Sequence, residues 1–258
     1  MYDGALGRFM SIDPHAYNYE ITTPYNYAFN NPLLFVDPTG KDNTIYLLLA
    51  GDYDKKEAEA IVNAVNKIFE DFKLETRYQI FDEKANGDFD ASNLDETDNW
   101  AVIGTDRAAV RDKAKKIDPS WSKGLDSWFN YNGSDGRSKK DAKMGIVIHQ
   151  RPSLNTLEGK ITETERSAIS LAHEAGHSSN YIRTKAKRTN SQDPHHLNDG
   201  IMISGSRQEE RIRRGRASEL TQRLGNRHYI IGMLERYHTK TGRKDNYERN
   251  KSSKNKPK

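Results

Sequence analysis

From Asn43 onward the chain alternates short apolar runs with longer stretches whose apolar residues recur every three or four positions. Thr44–Ala50 is a continuous β-prone run and reads as a buried strand. Lys55–Phe72 sets Ala58, Ile61, Val62, Val65, Ile68 and Phe69 at helical spacing. Tyr78–Phe81 and Trp100–Ile103 read as strands, and Asp106–Ile117 as a second helix. Residues 118–142 form an insertion rich in Gly, Ser and Asp that carries Trp121 and Trp128. Met144–His149 is a further strand, and it leads into a helix opened by Thr162, with Glu165 three residues on as a capping box. Within that helix Ile169 and Ala172 are expected on the buried side, and Glu163, Glu165 and Arg166 in a wetter first turn. Further on, Gln208–Leu224 and His228–Tyr237 read as helices broken at Gly225-Asn226. Their expected buried side is Ile212, Leu220, Leu224, Ile230, Ile231, Met233 and Leu234. The pattern as a whole predicts an α+β domain over residues 41–239, with a mixed twisted sheet and a helical C-terminal subdomain. Residues 240–258 have almost no apolar content and are expected to be a basic disordered tail.

Composition narrows the chemistry. The 258 residues are enough to bury a core, and with no cysteine any metal site must be built from His, Asp, Glu or water. No apolar run reaches membrane-spanning length. The start, Met1-Tyr2-Asp3-Gly4, does not read as a signal peptide, so an export address is expected elsewhere or on a longer parent chain. Charge is uneven. Residues 183–258 hold 20 Lys and Arg against 8 Asp and Glu, a net of +12, which leaves −8 for residues 1–182 in a chain of net +4. A basic C-terminal third could contact nucleic acid or acidic surfaces, but a solvated helix face with a floppy tail is the favoured reading.

The stretch that carries chemistry is Leu171-Ala172-His173-Glu174-Ala175-Gly176-His177. Residues four apart share a helix face, so His173 and His177 can offer imidazole nitrogens to one metal ion. Glu174 follows the first ligand by one residue, where its carboxylate can reach a water on the metal without being a ligand. At this His and Glu content the pattern arises by accident about once in sixty sequences. Two histidines are not a catalytic zinc site; a third protein ligand is required.

Residues 1–40 read differently, with Tyr and Phe among polar residues and frequent Asn-Pro and Asp-Pro turns. The segments Tyr2-Asp3-Gly4-Ala5-Leu6-Gly7-Arg8-Phe9-Met10-Ser11-Ile12-Asp13-Pro14 and Tyr25-Asn26-Tyr27-Ala28-Phe29-Asn30-Asn31-Pro32, with Asp37-Pro38-Thr39-Gly40 beyond, closely resemble the end of the Rhs/YD-repeat core of bacterial polymorphic toxins. That resemblance implies a parent chain with a β shell, and a variable toxin tip beginning after Gly40. It also implies self-cleavage near Gly40-Lys41 supported by Asp13 and Asp37, although His15-Ala16 departs from the Gly and Leu usual after the first Asp-Pro.

The order strand, helix, strand, strand, strand, active helix is similar to that of the zincin metallopeptidases, metzincins among them. The resemblance makes Gly145–Gln150 the upper rim of a cleft, where extended substrate pairs by backbone hydrogen bonds; an interior strand is the alternative. Metzincins continue His-Glu-x-x-His-x-x-Gly-x-x-His and then a Met-turn. Here Asn180 stands at the glycine position, where a left-handed turn would let the chain bend away, and Arg183, which cannot bind metal, stands at the third-histidine position. A polar loop is expected from Ser178 to Asp193, and the third ligand is sought beyond it. His196 is the first choice and His195 the second, with Met202 of Gly200-Ile201-Met202 as the Met-turn floor. Rival ligands are Glu209, Glu210 and Glu219, and Asp199 is a candidate acceptor behind a ligand histidine.

Together these readings predict a secreted or cell-delivered zinc endopeptidase toxin acting on a protein or peptide substrate, with Zn2+ on His173, His177 and His196 and Glu174 as general base. An immunity protein and the Rhs shell are the expected partners. Metal affinity is expected to fall below about pH 6 as the histidines protonate. The alternatives are a nuclease using the basic third, and a non-catalytic delivery module with a structural metal.

Overall fold

A computed structural model describes residues 2–3, 8–9, 43–94, 98–122, 135–138, 145–149 and 160–238. Asp13, Asp37, Trp128 and the 240–258 tail lie outside the described residues. The chain divides into two compact units, Thr44–Arg236 and Met1–Asn43 with Tyr237–Lys258. In the second of these, Tyr2–Asp3 pairs antiparallel with Arg8–Phe9.

The larger unit is built on five strands: β1 (Asn43–Leu49), β2 (Thr76–Ile80), β3 (Asn99–Gly104), β4 (Asp135–Ser138) and β5 (Ile146–His149). Their order across the sheet is β2-β1-β3-β5-β4. The first four in that order run parallel, and β4 is antiparallel to β5. Of the two readings of Gly145–Gln150, rim edge or interior strand, the interior one holds: β5 is flanked by parallel β3 and antiparallel β4. The edge strand comes from inside the 118–142 insertion. Its sequence, Asp135-Gly136-Arg137-Ser138, has no apolar alternation, so nothing in the pattern marks it as a strand.

Register decides the two faces. Leu48, Val102 and Val147 are aligned neighbours across β1, β3 and β5, and they pack with Trp100, Trp121 and the buried Val110 and Ala114 of α2 (Arg107–Ile117). Alternation turns Leu47, Ala101, Ile103, Ile146 and Ile148 to the other face, and all are fully buried. Beyond the sheet, α1 (Lys55–Asp71) packs against α3 (Glu163–His177). The helix starts are chemically explicit. Asp54 accepts from Glu57 N at 2.8 Å, Asp106 accepts from Ala108 N at 2.7 Å, and Thr162 and Glu165 close the expected capping box.

Four further expectations are corrected. The segment after Ser178 is not a polar loop but α4 (Asn180–Thr189), whose stripe of Ile182 and Ala186 is buried. Arg166 is not in a wet turn; it is 6% exposed. The Gln208–Leu224 segment is α5 (Gly205–Arg213) followed by a separate turn of helix at Ser218–Thr221, because the chain already breaks at Gly215, where φ is 71°. Leu224 is 94% exposed and Ile231 37%, so neither joins the core; in α6 (Arg227–His238) the buried side is Tyr229 and Met233. Among the described residues no helix is long and apolar enough to cross a membrane.

The insertion contributes to the core through Trp121, which is 2% exposed and meets Trp100 edge-on at 6.1 Å between ring centroids. Trp121→Ala is expected to cost about 3–5 kcal/mol in urea unfolding. A cost below about 1 kcal/mol would show that the insertion only drapes over the sheet.

Candidate metal centre

The last two turns of α3 carry His173, Glu174 and His177, and every residue from Arg166 to Gly176 is buried. Such a helix is held by its surroundings rather than by one apolar stripe. Two buried tyrosines grip it just before the first histidine. The Tyr78 hydroxyl, from β2, donates to Leu171 O at 2.9 Å, and the Tyr229 hydroxyl, from α6, donates to Ala172 O at 2.7 Å.

After His177 the chain turns on two serines. Ser178 is still helical, while Ser179 is extended (φ −82°, ψ 127°), caps α4 by accepting from Ile182 N, and donates to Gly232 O at 2.9 Å. Asn180 therefore begins the next helix and makes no left-handed bend. α4 carries the chain away, and Asn190 returns it: its side chain donates to His196 O at 3.1 Å and accepts from Asp193 N at 3.2 Å.

That return brings His196 to the two helix histidines. His173 Nε2 and His177 Nε2 are 3.0 Å apart, and the three rings stand 4.6, 5.1 and 5.3 Å apart by centroid. One nitrogen of each of the three lies within 4.8 Å of the others, close enough to hold one metal ion. Tetrahedral zinc with bonds of about 2.0–2.1 Å needs nitrogens about 3.3 Å apart, and the His173–His177 pair at 3.0 Å stands near that separation. His195, by contrast, is exposed and outside the cluster. The acidic rivals are committed to arginines: Glu209 lies 3.7 Å from Arg166, Glu210 2.6 Å from Arg214, and Glu219 pairs with Arg216. Asp199 pairs with Arg211 at 2.9 Å and backs no histidine.

Hydrogen bonds on the far side of two of the rings, His173 and His196, fix which nitrogen faces inward. His173 Nδ1 donates to Ile201 O at 2.8 Å, leaving its Nε2 lone pair for the site. His196 Nδ1 donates to both carboxylate oxygens of Asp193, at 2.8 and 2.9 Å. Sequence reasoning missed Asp193, although its place three residues before the chosen histidine was a usable signal. Burial favours protonating the Asp193 carboxyl, but the His196 hydrogen bond and charge outweigh it and hold its pKa below the usual carboxylate value.

The Met-turn expectation has a structural counterpart. Gly200–Met202 is a buried 3-10 turn, and Gly200 takes φ 71°, with a Cβ there colliding with Asn226. Buried Asn226 accepts from Ile201 N at 2.7 Å and donates to Leu220 O and Gln222 O at 2.9 and 2.7 Å. Met202 is fully buried against α3 at Gly176, where a Cβ would collide with its sulfur and come 2.7 Å from the Tyr229 ring. Glu174, 6% exposed, lies between the two helix histidines in sequence.

Comparison of the chain with family models, curated proteins and solved structures finds no match. The site must speak for itself.

Burial first, then the neighbouring His196, pushes His173 down from 6.5 to about 4. Burial, then His173, His196, His195 and Arg183, lowers His177 well below 6.5. Both helix histidines are thus neutral at physiological pH, as ligands must be, and they stay neutral below the pH 6 expected from ordinary imidazoles. In the unfolded chain they protonate near 6.5, so the metal-free fold keeps its full stability above that pH and loses it as pH falls toward about 4. The loss from His173 alone is on the order of 3 kcal/mol. Urea unfolding of the metal-free chain at neutral pH and at about pH 4.5 checks this, with a smaller fall expected in His173→Asn. Equal wild-type stability at the two pH values would contradict the burial of neutral imidazoles.

Proposed function

We propose that this chain carries a zinc-dependent endopeptidase, the toxin tip of an Rhs-type polymorphic toxin delivered into a target cell. The observation that carries the reading is the convergence of His173, His177 and His196 in a cluster whose first helix ligand is followed directly by buried Glu174. The three Nε2 atoms would hold the ion, two of them backed by the Ile201 carbonyl and the Asp193 carboxylate. Zinc bound there would supply Lewis acidity, making water more acidic and a peptide carbonyl more electrophilic. Glu174 takes the proton from the attacking water and passes it to the leaving amine, so that the peptide bond breaks and the carboxylate returns to its starting state. Met202 and Asn226 keep the floor of the site rigid.

The fold supports the zincin reading through its sheet order, its buried active helix, and a third histidine followed by a buried methionine turn. The departure is α4, inserted between the second and third histidines. With β5 interior, the strand suited to pair with an extended peptide is β4. The delivery reading rests on the Rhs-like residues 1–40, and with it come the immunity partner and self-cleavage near Gly40-Lys41 supported by Asp13 and Asp37.

One observation favours a second reading. α4 carries Arg183, Lys185, Lys187 and Arg188 and no acidic residue, as a phosphate-binding surface would. Glu174→Gln separates the two. In the zinc-loaded full chain it is expected to keep the metal and lose peptide hydrolysis by about 10²–10⁴-fold, measured on a mixed peptide library. Undiminished peptidase activity in that variant would sink the general-base assignment. Cleavage of DNA or RNA that survives Glu174→Gln but not His173→Ala would establish the nuclease.

A further inference from the structure

His173 is held from outside the cluster by more than one backbone carbonyl. On the first turns of α5, half-buried Gln208 places its side-chain nitrogen 2.9 Å from Ile201 O and 3.2 Å from Ile203 O. The same nitrogen lies 3.0 Å from His173 Nδ1. The orientation of the amide follows from its neighbours. Two carbonyl oxygens demand two N–H donors, and the reverse orientation would set the amide oxygen against both of them. With both protons committed to carbonyls, the amide has none left for His173 Nδ1, and an amide nitrogen is a poor acceptor. The only good partner for Nδ1 is then the Ile201 carbonyl at 2.8 Å, which requires Nδ1 to carry the proton.

We propose that Gln208 is a positioning residue of the metal centre, locking His173 in the Nδ1–H tautomer that turns its Nε2 lone pair toward His177 and His196. The proposal deepens the metal-centre reading and depends on it only for its zinc measurement. Gln208 acts through His173 and through the turn that carries Ile201, and it touches no reacting atom. Its backbone is fixed by the α5 hydrogen bond from Gln208 N to Ser204 O at 2.9 Å, so the amide is presented by a rigid element. Removing it leaves the Ile203 carbonyl without this donor and the Ile201 carbonyl with His173 Nδ1 alone, so the turn that holds the ring loosens and the Nδ1–Ile201 bond must compete with water. Neutral imidazole in water prefers the Nε2–H form, which cannot bind metal through Nε2.

Gln208→Met keeps the shape and removes both donors; Gln208→Asn keeps the amide but is too short to reach both carbonyls. The test is made on the full chain, 15N-labelled and metal-free, at neutral pH, with long-range proton–nitrogen correlation spectra reading the tautomer of His173. Wild type is expected as Nδ1–H, and both variants as mainly Nε2–H, with unchanged far-UV circular dichroism. Zinc affinity by chelator competition is expected to weaken about 10–100-fold in both. Retention of the Nδ1–H form in both variants, or zinc affinity within about twofold of wild type, would overturn the proposal. Should wild type take up no zinc at all, the metal reading falls, while the tautomer spectra still decide the role of Gln208.

Discussion

Three imidazoles converging on one point repel one another when protonated, and when neutral His173 and His177 share a single hydrogen bond at 3.0 Å between their Nε2 atoms. The three rings of His173, His177 and His196 stand close enough together to hold one metal ion. The surrounding structure keeps the rings together against that repulsion. Burial holds the two helix histidines neutral, and acceptors behind His173 and His196 fix the tautomers. Preorganisation of this kind places the cost of assembling the site on folding rather than on binding.

That cost is spread over both halves of the larger unit. The sheet side supplies Tyr78, and the C-terminal helices supply Tyr229; their hydroxyls donate to the carbonyls of consecutive residues, Leu171 and Ala172, just before His173. Below, Asn226 closes the turn at Ile201, and Gly176 leaves room for Met202 and the Tyr229 ring together. A larger residue at Gly176 would push the floor away from the ligand helix. α3 is therefore a shared wall, which explains why it is buried on nearly every side.

Much of this was legible because local rules decided it. Helical spacing in Lys55–Phe72, the cap at Thr162 and Glu165, and the His-Glu-x-x-His pattern each depend on a few adjacent residues. His196 was reachable because Arg183 is chemically unable to be a ligand and few histidines follow it; choosing it over His195 required the loop fold. What stayed hidden depends on partners distant in sequence. β4 is a strand only because β5 pairs with it, and α4 shows a single narrow stripe, Ile182 and Ala186, in an otherwise basic segment. Leu224 reads as core by type but falls in the turn between two helices, where nothing covers it. Asp193, Asn226 and Gln208 are polar residues in polar stretches, and only the assembled site gives them meaning.

The most direct test of the three-histidine centre is the zinc content of the purified full chain, wild type beside His196→Ala and His195→Ala, at neutral pH. One zinc per chain in wild type and in His195→Ala, with strong loss in His196→Ala, is the predicted result. Zinc retained in full by His196→Ala, or absent from a folded wild-type protein even after zinc is added, would contradict the account.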